Sequence, residues 1–243
     1  MPKFIRIAAV SALVAAMTGL GLSAHADQVT DKLKATLQAR LPEAPIKGVN
    51  KAPFPGLFEV QIGNELAYTD ATGDYLIAGD LIDTKTRSNL SEARRQDLNK
   101  VDFASLPLND AVKVVKGNGA RKMAVFSDPN CPYCRMLENT LKSMNNVTVY
   151  TFLYPVLSPD SVVKAKQIWC STDRAKTWES WMVDRQAPTA AGTCDTSALD
   201  KNLALGHSMN VSGTPTIILA DGHRLPGAVS EAELEKALNA ATH

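Results

Sequence analysis

An α+β domain followed by an α/β domain is the fold class this sequence predicts, on three observations. Between Leu57 and Thr84 the apolar residues recur with period two, after a single helical stretch, which describes a small helix-plus-antiparallel-sheet domain over residues 27–86. From about residue 88 the composition turns polar and charged, which predicts a linker helix within 87–117. From Lys122 onward strand and helix patterns alternate, which predicts a second domain over 118–243.

The first 26 residues are read as a leader. Lys3 and Arg6 supply a positive start, Ile7 to Leu22 is almost wholly apolar or small, and Ala24-His25-Ala26 matches an A-x-A cleavage site. This is the pattern of a secretory signal peptide cleaved after Ala26, and the apolar stretch is shorter than the ~20 residues a membrane span needs. An exported chain with four cysteines lives where disulfides form and persist. The net charge is +1 and turns slightly negative once Lys3 and Arg6 are removed. Such a balance gives no electrostatic case for nucleic acid or an anionic membrane. No later apolar run is long enough to span a bilayer.

The mature chain opens on a helix. Val29, Leu33, Leu37 and Leu41 recur every fourth residue, and Pro42 stops the pattern. Strands follow at Leu57–Ile62, Glu65–Thr69, Tyr75–Gly79 and Leu81–Thr84, with Gly63-Asn64 as a tight turn. About sixty residues make a thin core. An uncovered edge strand offers pairing with a second copy as the remedy. Next, Ser91 stands where an N-cap belongs, and the segment it opens has only Leu90, Leu98 and Val101 as apolar anchors. It reads as a solvated connector, with Arg94-Arg95 on its water-facing side. Gly117-Asn118-Gly119 marks the expected domain boundary.

In the second domain, Lys122–Ser127 reads as a strand and the segment from Cys131 to Asn145 as a helix, with Val147–Leu153 a β-branched strand. A helical insertion starts at Ser158-Pro159-Asp160 and carries Val162, Ala165, Ile168, Trp169, Trp178, Trp181, Met182, Leu199, Leu203 and Leu205 at core spacing. Thr214 to Leu219 is a buried strand, Asp221-Gly222 a hairpin turn, and Ser230 with Glu233 a capping box for the last helix.

The chemistry is concentrated at Cys131-Pro132-Tyr133-Cys134, between a strand and a helix. A helix N-terminus presents unpaired N–H groups and the positive end of the macrodipole, so it favours thiolate over thiol. A free cysteine titrates at ~8.5, and such settings lower that to ~3.5–7.5. Cys134, one turn on, is in reach to attack a mixed disulfide at Cys131. Two other readings of the pair stand beside this one. A structural zinc site needs about four ligands, and Cys170, Cys194, His207 and His223 have no second-knuckle spacing. An inert structural disulfide is the other.

The strand, the Cys131-Pro132-Tyr133-Cys134 helix, Gly213-Thr214-Pro215 before a strand, the hairpin and the terminal helix together resemble a thioredoxin-like domain. Across the whole mature chain, with Trp169-Cys170 and Cys194-Asp195 included, the sequence is similar to the periplasmic disulfide isomerases of the DsbC/DsbG type. The resemblance implies a homodimer made by the N-terminal domain, facing a cleft that takes misfolded, disulfide-containing exported proteins and gives chaperone activity. It implies Cys131 as nucleophile and Cys134 as resolving thiol. Pro132, Tyr133, Thr214 and Pro215 become substrate-binding residues, with Pro215 cis. A DsbD-type membrane thiol reductase becomes the electron donor, and no metal or organic cofactor is required. Cys170 and Cys194 are read as a structural disulfide of the helical insertion. The Pro132-Tyr133 dipeptide belongs to the DsbG-type branch, whereas the Cys170/Cys194 pair belongs to the DsbC branch.

The expected activity is thiol:disulfide isomerisation or reduction. A dithiol oxidase and a DsbG-type reductant of sulfenylated cysteines are the alternatives.

Overall fold

A computed structural model describes residues 21–241; the leader reading falls mainly on residues 1–20, outside the described residues. The chain divides into two compact units, meeting at Arg95 and Gln96.

In the first unit, α1 (Gly21–Arg40) precedes four antiparallel strands in sequential order: β1 (Ile46–Lys51), β2 (Phe58–Ile62), β3 (Glu65–Thr69) and β4 (Leu76–Ile77). Leu33 and Leu37 of the expected helical stripe are buried against Ile46, Val49, Phe58 and Val60, while Val29 is exposed. Gly63 turns β2 into β3 with φ +60°, a conformation that favours glycine. A two-stranded ribbon, β5 (Ile82–Asp83) with β6 (Ser88–Asn89), leads into α2 (Leu90–Leu98). The strands expected at Tyr75–Gly79 and Leu81–Thr84 are thus reduced to two residues each. β1 was not foreseen.

The connector expected over 87–117 is not one solvated helix. α2 ends at Leu98 and is tied to the first unit's sheet: Arg94 forks onto the buried Glu59 carboxylate of β2 at 2.8–3.1 Å, and Arg95 meets Asp80 at 2.7 Å. Ser91 is not the N-cap. Its hydroxyl is buried, 2.5 Å from the Tyr68 hydroxyl, and it accepts from the Leu81 N–H; Asn89 instead accepts from the Glu92 N–H. Charge pairing across 35 residues leaves no periodic trace, so the helix reads as solvated when it is docked.

The second unit is built on a five-stranded sheet ordered β11-β10-β8-β9-β7. Its strands are β7 (Val112–Lys116), β8 (Arg121–Ser127), β9 (Val147–Leu153), β10 (Thr216–Leu219) and β11 (Arg224–Pro226). β8 and β9 run parallel, joined by α3 (Pro132–Ser143); the other pairings are antiparallel. Gly117-Asn118-Gly119 lies inside this unit, turning the chain from β7 towards β8, and is not its boundary.

β8 is covered on both faces, which is why it reads as a continuous apolar run rather than an alternating one. Met123 and Val125 pack with Leu137 and Leu141 of α3 and with Leu234 and Leu238 of α7 (Glu231–Ala240). Ala124 and Phe126 pack on the opposite face with Phe103, Phe152, Tyr154 and Ile218. The insertion forms α4 (Pro159–Trp169), α5 (Arg174–Met182) and α6 (Ser197–Ser208). Its Ala165, Ile168, Trp169, Trp178 and Met182 share a core cluster with Cys131 and Cys134. The Ser158 N-cap with Pro159 in the first turn and the Ser230/Glu233 capping box are both formed.

Candidate active site

β8, the central strand, ends at Ser127, and the chain turns through Asp128-Pro129-Asn130 into α3. The turn is held by the wholly buried Asp128 carboxylate. It accepts from the N–H groups of Asn130 (2.7 Å), Val156 (2.8 Å) and Leu157 (2.9 Å) and from the Ser161 hydroxyl (2.8 Å). One side chain therefore fixes the approach to the cysteines against the loop after β9 and the start of α4. A second clamp is Trp181 of α5. Its indole N–H donates to the Pro129 carbonyl at 2.7 Å, and its ring lies 4.7 Å from both Arg135 and Lys164.

Cys131 takes the N-cap position of α3, with extended backbone, and Pro132 occupies the first turn, where its missing N–H has no helical partner to lose. The Cys131 N–H donates to the Asp128 carbonyl at 3.1 Å, and the Arg135 N–H to the Cys131 carbonyl at 3.2 Å. Both cysteines are free. Cys131 is 3 % exposed, so its sulfur is recessed rather than open as the bare motif suggests. Its thiol donates to the Thr214 carbonyl at 3.2 Å, and the Thr214–Pro215 bond that follows is cis. Tyr133 and Met136 of α3 are exposed, as are Val156 and Leu157 on the loop that Asp128 holds.

Cys134 lies deeper, behind the first turn of α3. It is fully buried, which pushes its thiol up to about 12, although the Ser127 hydroxyl and the Asp128 N–H both donate to its sulfur. The neighbouring Cys131 side chain, through its charge and its hydrogen bond to Cys134, pushes in the same direction as burial. Desolvation outweighs two hydrogen bonds because the charged form loses water entirely on this side of α3.

The sequence-predicted residues fall into two places. Cys131, Pro132, Tyr133, Cys134, Thr214 and Pro215 come together at the end of β8 and the start of β10. Cys170 and Cys194 lie apart, bonded to each other with Cα atoms 5.6 Å apart, joining the end of α4 to the segment before α6. Sequence reasoning missed Ser127, Asp128 and Trp181. Only the Ser-Asp-Pro turn spelling hinted at Asp128, since its partners lie some 30 residues downstream.

Residues 23–92 match the disulfide bond isomerase protein N-terminal domain, and residues 108–242 match a thioredoxin-like domain. A probable thiol:disulfide interchange protein DsbC of Bordetella pertussis is 48% identical over 212 residues, covering 87% of this chain and 75% of that protein. The DsbC of Escherichia coli is 27% identical, covering 84% and 87%. A disulfide interchange protein from Neisseria gonorrhoeae, solved by crystallography, is 38% identical with a TM-score of 0.55, covering 57% of this chain and 99% of its own. The likeness takes in both units, so this chain belongs to the DsbC family of thiol:disulfide interchange proteins.

Proposed function

We propose that this protein rearranges non-native disulfides in exported proteins through a Cys131/Cys134 dithiol. The observation that carries the reading is the asymmetry of the pair. Cys131 sits at the N-terminus of α3 against the Thr214 carbonyl, while Cys134 is sealed behind it and held as a thiol. In the proposed cycle the Cys131 sulfur attacks one sulfur of a substrate disulfide and expels the other as a thiolate, leaving a Cys131–substrate mixed disulfide. Attack by another substrate thiolate on the substrate sulfur of that bond regenerates Cys131 and completes isomerisation. Attack by Cys134 on the Cys131 sulfur instead releases reduced substrate and leaves a Cys131–Cys134 disulfide. A Cys134 thiol that ionises with difficulty slows the second exit and leaves time for the first.

The Thr214 carbonyl against the Cys131 sulfur and the exposed Tyr133 support substrate seating beside the dithiol. Val156, Leu157 and Met136 add apolar contact for unfolded chain. The proposal extends to a periplasmic location after cleavage at Ala26 and to a homodimer made by the first unit. It also takes a DsbD-type membrane reductase as the source of electrons. No helix among the described residues is long and apolar enough to cross a membrane.

Rescue of scrambled ribonuclease tests the core of this reading. The unaltered protein should restore activity, Cys131→Ala should abolish rescue, and Cys134→Ala should retain part of it while accumulating mixed disulfides. Full rescue by Cys131→Ala would leave only a holding role, and a pair found mostly oxidised by thiol trapping in cells would make the protein an oxidase.

A further inference from the structure

Beside the dithiol turn the second unit gathers positive charge that its own carboxylates do not cancel. Arg135 of α3 and Lys164 of α4 both lie 4.7 Å from the ring of Trp181, whose indole N–H holds the Pro129 carbonyl at 2.7 Å. A third cation, the exposed Arg185, is close enough for its charge to act on Arg135. Burial opposes the Arg135 charge first, and Arg185 opposes it second. Like charges held together and partly out of water are unfavourable until an opposite charge joins them.

The negative groups of this neighbourhood are turned elsewhere. Asp160 accepts from the Asn130 side-chain amide at 2.8 Å and meets Lys164 at 3.3 Å. Glu179 of α5 pairs with Lys116 of β7 at 2.9 Å. Among the described residues no carboxylate pairs with Arg135 or Arg185. Arg135 gives one N–H to the Trp181 carbonyl at 3.0 Å. A guanidinium carries five N–H donors in a planar fork, and stacking on an indole uses its face rather than its edge. The remaining donors are left to meet a carboxylate from outside. The whole chain has a net charge of only +1, so this excess is local and not a share of a general positive field.

The cluster stands where a bound substrate strand passes. Arg135 is one turn after Cys131, with its N–H on the Cys131 carbonyl at 3.2 Å. Trp181 and Asp160 grip Pro129 and Asn130, the two residues before Cys131. The cations therefore flank the turn from which Cys131 acts. Extended chain advances about 3.3–3.6 Å per residue, so a strand joined to Cys131 carries the side chains of its next few residues across that flank.

We infer that Arg135, Lys164 and Arg185 select substrate disulfides whose reacting cysteine has Asp or Glu within the next few residues. The inference deepens the proposed exchange activity and rests on it. These cations are specificity-determining groups and take no part in the bond changes. They act on encounter and on the seating of the strand, before sulfur attacks sulfur. The exchange itself is as described above: the Cys131 sulfur bonds to one substrate sulfur, the substrate S–S bond breaks, and the other sulfur leaves as a thiolate.

The test is a competition in the full chain carrying Cys134→Ala, which lets the mixed disulfide accumulate. Two disulfide-linked peptide homodimers of equal length are offered together in equal amounts. One has glutamates beside its cysteine and the other has lysines. After an acid quench the two Cys131 adducts are quantified by mass. Both peptides compete for one sulfur, so a change in the reactivity of Cys131 itself cancels from the ratio. At low salt the acidic adduct should exceed the basic one by at least about fivefold. That ratio should fall towards one in 1 M salt, where the screening length is about 3 Å.

Arg135→Gln with Lys164→Gln should bring the low-salt ratio to within about twofold of one, and Arg135→Glu with Lys164→Glu should invert it. Arg135→Lys keeps the charge and should keep the preference. Arg185→Gln, at an exposed position away from the Trp181 ring stack, should lower the ratio by itself and needs no change in the clamp on Pro129. A ratio near one before any cation is altered overturns the inference, as does a preference that ignores salt or survives the paired Gln variant. Loss of the preference in Arg135→Lys would mean that packing on Trp181, not charge, sets it, and overturns the inference too. Absence of any adduct with either peptide would instead remove the exchange reading itself.

Discussion

At the scale of single residues, the second unit separates two buried carboxyls by what surrounds them. Asp128 meets three backbone N–H groups and a hydroxyl, so it positions a turn. Glu138 meets one indole N–H and is pushed up from 4.5 to about 7, burial being the main cause. The second case has a thermodynamic signature. Between those two pH values the unfolded chain ionises Glu138 while the folded chain keeps its proton. The native state then binds more protons than the unfolded one, and stability falls as pH rises. The contribution is fully present below pH 4.5 and lost by about pH 7. At 1.36 kcal/mol per pH unit that loss is about 3 kcal/mol. Urea unfolding of the unaltered protein and of Glu138→Gln at pH 4.5, 6 and 8 should show this as a difference that moves in the variant's favour as pH rises. A difference independent of pH would mean that the carboxyl is already ionised in the folded state.

At the scale of elements, what could be read from the chain is what depends on neighbours in sequence. The period-two runs of β2 and β3, the apolar β8 and the two caps at Ser158 and Ser230 are all local signals, and all are formed. β1 and β7 were invisible for a different reason. The apolar residues of Ile46–Lys51 do not alternate, and both it and Val112–Lys116 are strands because β2 and β9 lie beside them. The docking of α2 depends on Glu59, and the grip on the dithiol turn depends on Val156, Leu157 and Trp181. Such long-range pairings leave no pattern in a window of ten residues. The cysteines themselves were legible because strand, turn and helix are contiguous there.

Gly206 of α6 is another silent position with a physical reason. A Cβ there would stand 2.3 Å from the Tyr154 ring, which is itself hemmed in by Phe126 and His207. Gly206→Ala gains about 1 kcal/mol of helix propensity but overpacks a ring that cannot turn away, at about 1–3 kcal/mol. The clash should win. The urea midpoint is expected to fall with the slope unchanged, whereas a rise would mean that α6 is free to shift off the sheet.

At the scale of the whole molecule, the question is why a dithiol domain carries the first unit at all. Among its described residues that unit buries nine apolar side chains, six of them in the cluster that joins α1 to the sheet, which is little for a domain of its size. Its last strand, β4, is two residues long and lies at the sheet edge. Leu76 and Ile77 are exposed there, Tyr75 just before them is 75 % exposed, and Ile82 is exposed close by in sequence. An edge strand with apolar side chains in water is what single-chain proteins avoid, and a contiguous apolar patch marks an association site. Pairing of this edge with a second copy would continue the sheet and bury those side chains at once. Isomerisation depends on holding substrate long enough for a second substrate thiol to find the mixed disulfide. Two dithiols tethered in one assembly raise the effective concentration of reactive groups without altering either site. Leu76→Lys with Ile77→Lys places two charges on that edge. The variant should sediment as a monomer, attack a small peptide disulfide through Cys131 at the unaltered rate, and lose most of its rescue of scrambled ribonuclease. If it remains a dimer, the association surface lies elsewhere on the first unit. If it becomes a monomer with rescue intact, the first unit serves something other than isomerisation.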